Sequence, residues 1–290
     1  MTTSQYTECY TAYLDILGAK ALVLRSEREP RLRERLATAL VAIKETPPYL
    51  ESKRDDIDHI LENVLRIQVL SDSVILFIPA TTSLAWFLWV VRRLYDKMIC
   101  LGLCFRGAIT LGGMLWEEQN IENYAEGVEK TARSSVALGP ALVNAYLLES
   151  EVAVYPRILI SEPLHARIRN IDFQKGNAEN PLDRWNFPLV NHGCRLGLSH
   201  FVKTDFDGRP YFDILNRNIH RHDKIGGKGT PNDPNDFDDT PGEVWVQRYR
   251  DVAAENLGSA KDEKIKAKYA WLLNYVCRSC AATCPAPVDK

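Results

Sequence analysis

The first 160 residues alternate between short apolar runs and longer segments with helical periodicity. Runs rich in β-branched and aromatic side chains are typical of strands, whereas Leu, Ala, Arg and Glu at helical spacing indicate helices. The predicted strands are residues 9–18, ending in a turn at Gly18; residues 65–70; residues 74–78; residues 103–111, ending at Gly112-Gly113; and residues 157–160. The predicted helices are residues 21–45, stopped by Pro47-Pro48; residues 53–63; residues 83–101; and residues 139–149.

This order of elements is β-α-β-β-α-β-α-β, and it contains a ferredoxin-like β-α-β-β-α-β core. The polar break at residues 71–73 between two apolar runs predicts the hairpin of that core. In such a core the first strand lies beside the hairpin. The fold class predicted is therefore α+β, with further strands and helices added at the C-terminal side.

The pattern weakens after residue 160. Residues 201–215 predict a hairpin with an Asp-Gly turn, and residues 242–282 predict one or two terminal helices. Between them, residues 222–241 are rich in Gly, Pro, Asn and Asp, which predicts a long flexible loop. We expect a main domain at residues 1–220, a loop at 221–241 and a helical extension at 242–290.

Composition argues against a nucleic-acid surface and a membrane location. The 290 residues carry a net charge of −2 and a pI of about 6.3, so a broad basic surface is not expected. The most apolar stretch, residues 84–103, is interrupted by four charged residues and predicts an amphipathic helix. The first residues lack a secretory pattern, so a cytoplasmic location is expected.

Seven scattered cysteines favour a reducing compartment. Three of them, Cys277, Cys280 and Cys284, are closely spaced, but this group lacks the fourth ligand of a zinc site.

Two aspartates lie where the predicted core brings strand ends together. Asp15 ends the first strand within an otherwise apolar segment, and Asp72 lies at the hairpin tip. A carboxylate in apolar surroundings needs a partner, and Mg²⁺ or Mn²⁺ is such a partner. Either residue alone is explained by a helix cap or a turn; together they predict a metal site.

Four segments resemble the class III nucleotidyl cyclases over residues 9–150. Residues 13–18, Tyr-Leu-Asp-Ile-Leu-Gly, resemble the family's first metal motif, Phe-Ala-Asp-Ile-x-Gly. Residues 66–73, Arg-Ile-Gln-Val-Leu-Ser-Asp-Ser, resemble its Arg-Ile-Lys-Ile-Leu-Gly-Asp-Cys hairpin. Residues 105–112 resemble its Arg-Val-Gly-Ile-His-x-Gly strand, and residues 136–149 take the place of its helix segment.

The resemblance implies a two-metal mechanism. In the family both aspartates bind two ions, Mn²⁺ or Mg²⁺, with help from a backbone carbonyl. By position these ligands are Asp15, Asp72 and the carbonyl of Ile16. One ion lowers the pKa of the ribose 3′-hydroxyl, and the other supports the diphosphate leaving group.

Two departures bear on the base. Gln68 stands at the purine-selecting lysine position and Val136 at the purine-selecting aspartate position. The pattern resembles the pyrimidine cyclases of the Pycsar anti-phage defence system, which make cyclic UMP or cyclic CMP for a separate effector protein. We expect UTP as substrate. CTP remains open because an amide can present either donor or acceptor.

Other substrate contacts are less defined by sequence. The family's transition-state asparagine and arginine fall on Val143 and Leu147, while Asn144 is one place away on the helix. The remaining candidates each have an alternative explanation as ordinary surface residues. They are Arg106, Lys130 or Arg133 for the missing cation, Lys203 or Arg209 for phosphate binding, and Tyr49 for stacking on the base.

The family forms active sites between two head-to-tail protomers, so a homodimer is expected. A purine cyclase is the second interpretation. A degenerate domain that binds a nucleotide and regulates a partner is the third. Diguanylate cyclases are disfavoured because residues 71–73 do not match their Gly-Gly-acidic-acidic-Phe hairpin.

Overall fold

The computed structural model describes residues 5–44, 65–125, 128–173, 198–215 and 242–279. Its strands are β1 (Thr7–Ile16), β2 (Arg66–Leu70), β3 (Ser73–Pro79), β4 (Phe105–Ala125), β5 (Val128–Leu138), β6 (Ile158–Ile160), β7 (Val202–Thr204) and β8 (Pro210–Phe212). Its helices are α1 (Ala19–Ser26), α2 (Pro30–Lys44), α3 (Leu84–Cys100), α4 (Pro140–Leu147), α5 (Glu162–Phe173), α6 (Gly242–Ser259) and α7 (Glu263–Ser279). The predicted helix at residues 53–63 and the predicted loop at residues 222–241 lie outside the described residues.

The strands pair in the order β2-β3-β1-β4-β6-β8-β7, and β5 pairs with β4 outside this path. The pairs β2/β3, β3/β1 and β1/β4 are antiparallel, whereas β4/β6 is parallel. The first four strands thus have the order and directions of a ferredoxin-like core. The α+β class predicted from the sequence is confirmed, and β6, β7 and β8 are the strands added beside the core.

The β-sheet is buried on both faces at β3, which explains why this strand is continuously apolar rather than alternating. Val74, Leu76 and Ile78 belong to a large core that includes α3, while Ile75 and Phe77 belong to a smaller cluster on the other face. Cys9, Met114 and Ala141 complete that smaller cluster, so the sheet lies between α3 on one side and α4 on the other.

The charged residues of α3 are buried, which differs from the amphipathic helix expected from the sequence. Arg92 Nε lies 3.1 Å from Asp96 Oδ2, and both side chains are 1% exposed. The hydroxyl of Tyr249, on α6, donates to Asp96 Oδ1 at 2.8 Å, and Lys97 Nζ donates to the carbonyl of Ala42 at 3.4 Å. The polar side of α3 therefore contacts α6 and α2 instead of water.

Two local predictions need correction. The helix expected at residues 21–45 is two helices, because the chain breaks at residues 27–29 before Pro30 begins α2. The strand expected to end at Gly112-Gly113 continues to Ala125, and β5 pairs with the continuation. Gly113 serves close packing, because a Cβ at this position would lie 2.9 Å from Tyr6 Cβ. Helix α5 was not predicted from the sequence.

The terminal helices join the main core. Trp245, Tyr249 and Val252 of α6 and Leu272 and Val276 of α7 are buried with it. In the described part of the chain, no helix combines the length and the apolar character needed to cross a bilayer.

Candidate functional site

Three core strands meet at one end beside Asp15. Asp15 pairs with Ser73 of β3 on one side and with Arg106 of β4 on the other. Asp72 lies in the turn between β2 and β3, and its carbonyl accepts a hydrogen bond of 3.1 Å from the backbone N–H of Ile16. The turn is closed by Ser71 with a left-handed φ of 57°. The two aspartates thus share one end of adjacent strands, as the topology predicted from the sequence requires.

The Asp15 carboxylate is held by side chains on both neighbouring strands. Arg106 Nε donates to Asp15 Oδ2 at 3.1 Å, and Ser73 Oγ donates to Asp15 Oδ1 at 3.4 Å. Tyr13 in turn donates to Ser73 Oγ at 2.8 Å. Burial raises the pKa of Asp15, Arg106 lowers it and the nearby charge of Asp72 raises it. The net upward direction means that these contacts only partly offset the burial of the charge.

A third carboxylate, from Glu149, faces the same arginine. It belongs to a π-helical turn, Leu148–Val152, that follows α4, and its side chain is 3% exposed. Its Oε1 lies 2.7 Å from Arg106 Nε. Burial raises the pKa of Glu149 to about 7, while Arg106 lowers it and Asp15 raises it. Such π-helical turns occur frequently at functional sites.

The predicted helix at residues 139–149 ends at Glu149, and a further pattern identifies this residue as part of the site. Ala141 and Ala145 are buried on α4, and Glu149 continues their spacing of four residues. A glutamate at such a position points toward the core and needs a partner there.

A second cation, Lys268 on α7, interacts with the site through its charge. Burial lowers the pKa of Lys268, and the charge of Arg106 lowers it further, whereas Asp15 and Glu149 raise it. Lys268 is therefore electrostatically coupled to the carboxylates although it is far away in sequence. Periodicity along the chain carries no sign of this coupling.

The donors at the strand ends suit a hard cation. Two carboxylates, with the Ile16 carbonyl beside them, are oxygen donors, which Mg²⁺ and Mn²⁺ prefer. Within the described ranges no group of three or more His, Cys, Asp or Glu side chains is arranged to hold an ion. Mg²⁺ commonly takes one or two carboxylates and completes its shell with water and substrate phosphates. The residues present fit that mode of binding.

Gln68 lies on the same face of the sheet as Asp15. Two rows of paired residues cross β2, β3 and β1. One row consists of Gln68, Ile75 and Tyr13, and the row two residues further along each strand consists of Leu70, Ser73 and Asp15. Because residues two apart on a strand point to the same side, the Gln68 side chain faces the side that carries Asp15.

The structure does not bring Val136 to Asp15 of the same chain. Val136 pairs with Glu117, which lies well away from Arg106 along β4. Its side chain is 61% exposed. Asn144 is exposed on α4, whereas the adjacent Ala145 is buried. Lys130 and Arg133 lie on the same β5 strand as Val136, opposite Asn123 and Asn120.

Lys203 lies on β7, four strands along the sheet from β1. Its Nζ is 2.7 Å from Asp213 Oδ2, and Asp213 is almost completely buried. Lys203 lines a groove of about 560 Å³ together with Tyr155 and Trp271. Arg209 belongs to the neighbouring turn, where its backbone N–H donates to Asp207. Tyr49 lies outside the described residues.

No protein-family model matches the chain, and no curated protein matches it in sequence. Among solved structures, the chain is similar to the non-canonical dimeric guanylyl cyclase domain of the RhoGC fusion protein from the aquatic fungus Blastocladiella emersonii. The two share 13% identity with a TM-score of 0.39, over 58% of this chain and 86% of that domain.

Proposed function

We propose that this chain is a nucleotidyl cyclase, which converts a nucleoside triphosphate into its 3′,5′-cyclic monophosphate and diphosphate. One observation carries the proposal: Asp15 and Asp72 meet at adjoining strand ends of a ferredoxin-like core. The fold fixes their backbones directly through the hydrogen bond from Ile16 to Asp72.

The reaction joins the ribose 3′-oxygen to the α-phosphorus and breaks the bond from that phosphorus to the bridging oxygen of the leaving diphosphate. Mg²⁺ or Mn²⁺ held by Asp15 and Asp72 would lower the pKa of the hydroxyl and offset the phosphate charge. Within this chain, Ser73 and Arg106 fix the orientation of Asp15. Lys268 adds positive charge near the cluster, where a triphosphate would carry negative charge.

UTP is the proposed substrate, with CTP as the alternative. Gln68 is the support from the structure, because its face of the sheet is the face of Asp15. Its amide offers one acceptor and two donors, and so it can pair with the edge of either pyrimidine. The resemblance to the pyrimidine branch adds the proposed role, which is antiviral defence through a cyclic nucleotide that activates a separate effector protein.

A homodimer is part of the proposal. Three apolar side chains of α4, Val143, Tyr146 and Leu147, are exposed, which suits contact with a second copy of the chain. Val136 lies away from Asp15 within one protomer, and Asn144 is exposed on α4. Both would contact substrate across the subunit interface, in an active site shared by two chains.

A second candidate function is a nucleotide-binding regulator without turnover. The observation that favours it is Leu147, an exposed apolar residue at the position of the family's transition-state arginine. Arg106 is the arginine that the structure places at Asp15, and it is already paired with two carboxylates.

A product assay separates these functions. The full chain is incubated with Mn²⁺ and with ATP, GTP, CTP or UTP in separate reactions, and the products are identified by mass spectrometry. We expect cyclic UMP. Cyclic AMP or cyclic GMP would overturn the assignment of the base but not of the reaction. Binding of a triphosphate without any cyclic product would favour the regulator.

A further inference from the structure

Arg106 is shared by two carboxylates that differ in their surroundings. Its Nε lies 3.1 Å from Asp15 Oδ2 and 2.7 Å from Glu149 Oε1. Asp15 is 17% exposed at the strand ends, whereas Glu149 is 3% exposed beneath them. The arginine itself is 25% exposed, and it pairs with one partly exposed carboxylate and one buried carboxylate.

The single hydrogen on Nε serves only one of these partners. It is directed at Asp15 Oδ2. Glu149 Oε1 is buried and receives no hydrogen bond from any described residue, although it is the nearer oxygen. A buried carboxylate oxygen without a donor is destabilised. A small rotation of the guanidinium would redirect the Nε–H hydrogen bond from Asp15 to Glu149.

Asp15 therefore has a cation beside it that a metal ion must displace. The Arg106 guanidinium donates a hydrogen bond to one of the two carboxylate oxygens, and Ser73 donates to the other. A divalent ion at Asp15 would compete with the arginine both for the oxygen and through charge repulsion. Glu149 offers the displaced arginine a second partner at hydrogen-bonding distance.

We propose that Arg106 and Glu149 are positioning residues that set the metal affinity of Asp15: Arg106 blocks the carboxylate, and Glu149 receives Arg106 when a divalent cation binds. This inference rests on the metal-binding role of Asp15 in the proposed function. The arginine thereby lowers the apparent affinity of the site for the ion, because binding must offset the lost interaction between Arg106 and Asp15.

The test is the dissociation constant for Mn²⁺, measured on the full chain without nucleotide from the electron paramagnetic resonance signal of free Mn²⁺. The variants are Arg106→Gln, Glu149→Gln, the double variant and Asp15→Asn. Arg169→Gln is the matched control, because Arg169 pairs with Glu162 on the exposed side of α5 and its loss removes the same charge. Circular dichroism checks that each variant is folded.

Arg106→Gln is expected to tighten Mn²⁺ binding about tenfold, which corresponds to about 1.4 kcal/mol, while Arg169→Gln leaves it unchanged. Glu149→Gln is expected to weaken binding in the native background and to have little effect together with Arg106→Gln. That dependence separates a partner of Arg106 from a residue that attracts the ion through its own charge.

Two results would overturn the inference. Unchanged or weaker Mn²⁺ binding in Arg106→Gln, with binding still lost in Asp15→Asn, would remove the blocking role but leave the metal site. An equal effect of Glu149→Gln in both backgrounds would remove the receiving role of Glu149. If Asp15→Asn binds Mn²⁺ as tightly as the native chain, the metal site of the proposed function is itself wrong.

Discussion

At the scale of single residues, the environment of Asp15 explains how a charged group is kept at the end of an apolar strand. Leu14 and Ile16 on either side are buried, and the carboxylate turns toward Ser73 and Arg106. Asp72 differs, because its backbone carbonyl rather than its side chain joins the sheet. The two residues can therefore be altered with different consequences for the fold.

Replacing Asp72 by Ala is expected to lower cyclase turnover by more than about 100-fold, since loss of even an outer partner of a metal ligand costs 10–100-fold. Stability should change by less than about 1 kcal/mol because the backbone bond from Ile16 is kept. Turnover with Mn²⁺ and urea unfolding measure the two effects. Ser71→Gly, which alters the same turn without removing a carboxylate, is the control. Normal turnover in Asp72→Ala would contradict the metal assignment.

At the scale of elements, a buried arginine ties the β7–β8 hairpin to the start of β6. Arg157 is 1% exposed and pairs with Asp205 and Asp207 in the turn of that hairpin. Asp205 also accepts a hydrogen bond of 3.1 Å from Trp271 Nε1 on α7. The hairpin, the sheet edge and the terminal helix are thus joined through one charged group that needs these partners.

The pH dependence of this junction has a definite sign. Hydrogen bonding from Arg157 lowers the pKa of Asp207 below its usual value. A carboxylate with a lowered folded-state pKa stabilises the protein above its unfolded-state pKa of about 3.9, and this stabilisation is lost as the pH falls toward the lower folded value.

Asp207→Asn should therefore be less stable than the native chain between about pH 5 and 7, and the difference should shrink below about pH 4. Urea unfolding of both proteins across this range measures it. A difference that stays constant down to pH 3 would show that the carboxylate charge is not what stabilises the hairpin.

At the scale of the whole molecule, α4 has one buried side and one exposed apolar side. Ala141 and Ala145 pack against the sheet, while Val143, Tyr146 and Leu147 are exposed. Tyr146 also contacts Tyr13 edge-on, with ring centroids 5.5 Å apart. The exposed side of α4 therefore adjoins the strand that carries Asp15, and a second subunit bound there would lie next to the site.

Leu147→Glu is expected to convert the proposed dimer to monomer and to abolish turnover, because a charge would be placed in an apolar contact. Light scattering after size-exclusion chromatography measures the mass. Val23→Glu is the matched control, since Val23 is similarly exposed on α1. A native chain that is monomeric and active would contradict the shared active site.

Local patterns determined the order of most core elements, the β2–β3 hairpin and the place of Asp15 and Asp72 at strand ends. These features follow from periodicity and turn residues, which act over a few neighbouring positions. For the same reason the passage of β4 through Gly112-Gly113 was not predicted: Gly113 allows close contact with Tyr6, a residue distant along the chain.

Only the tertiary structure decided which charges share the site. Arg106 is 91 positions from Asp15, and Glu149 and Lys268 lie farther along the chain. The charged residues of α3 are likewise buried because α2 and α6 cover them. The sequence by itself determined the core and its pair of aspartates, since each rests on local pattern. The partners of those aspartates depend on how distant segments pack, and burial and charge pairing act through space rather than along the chain.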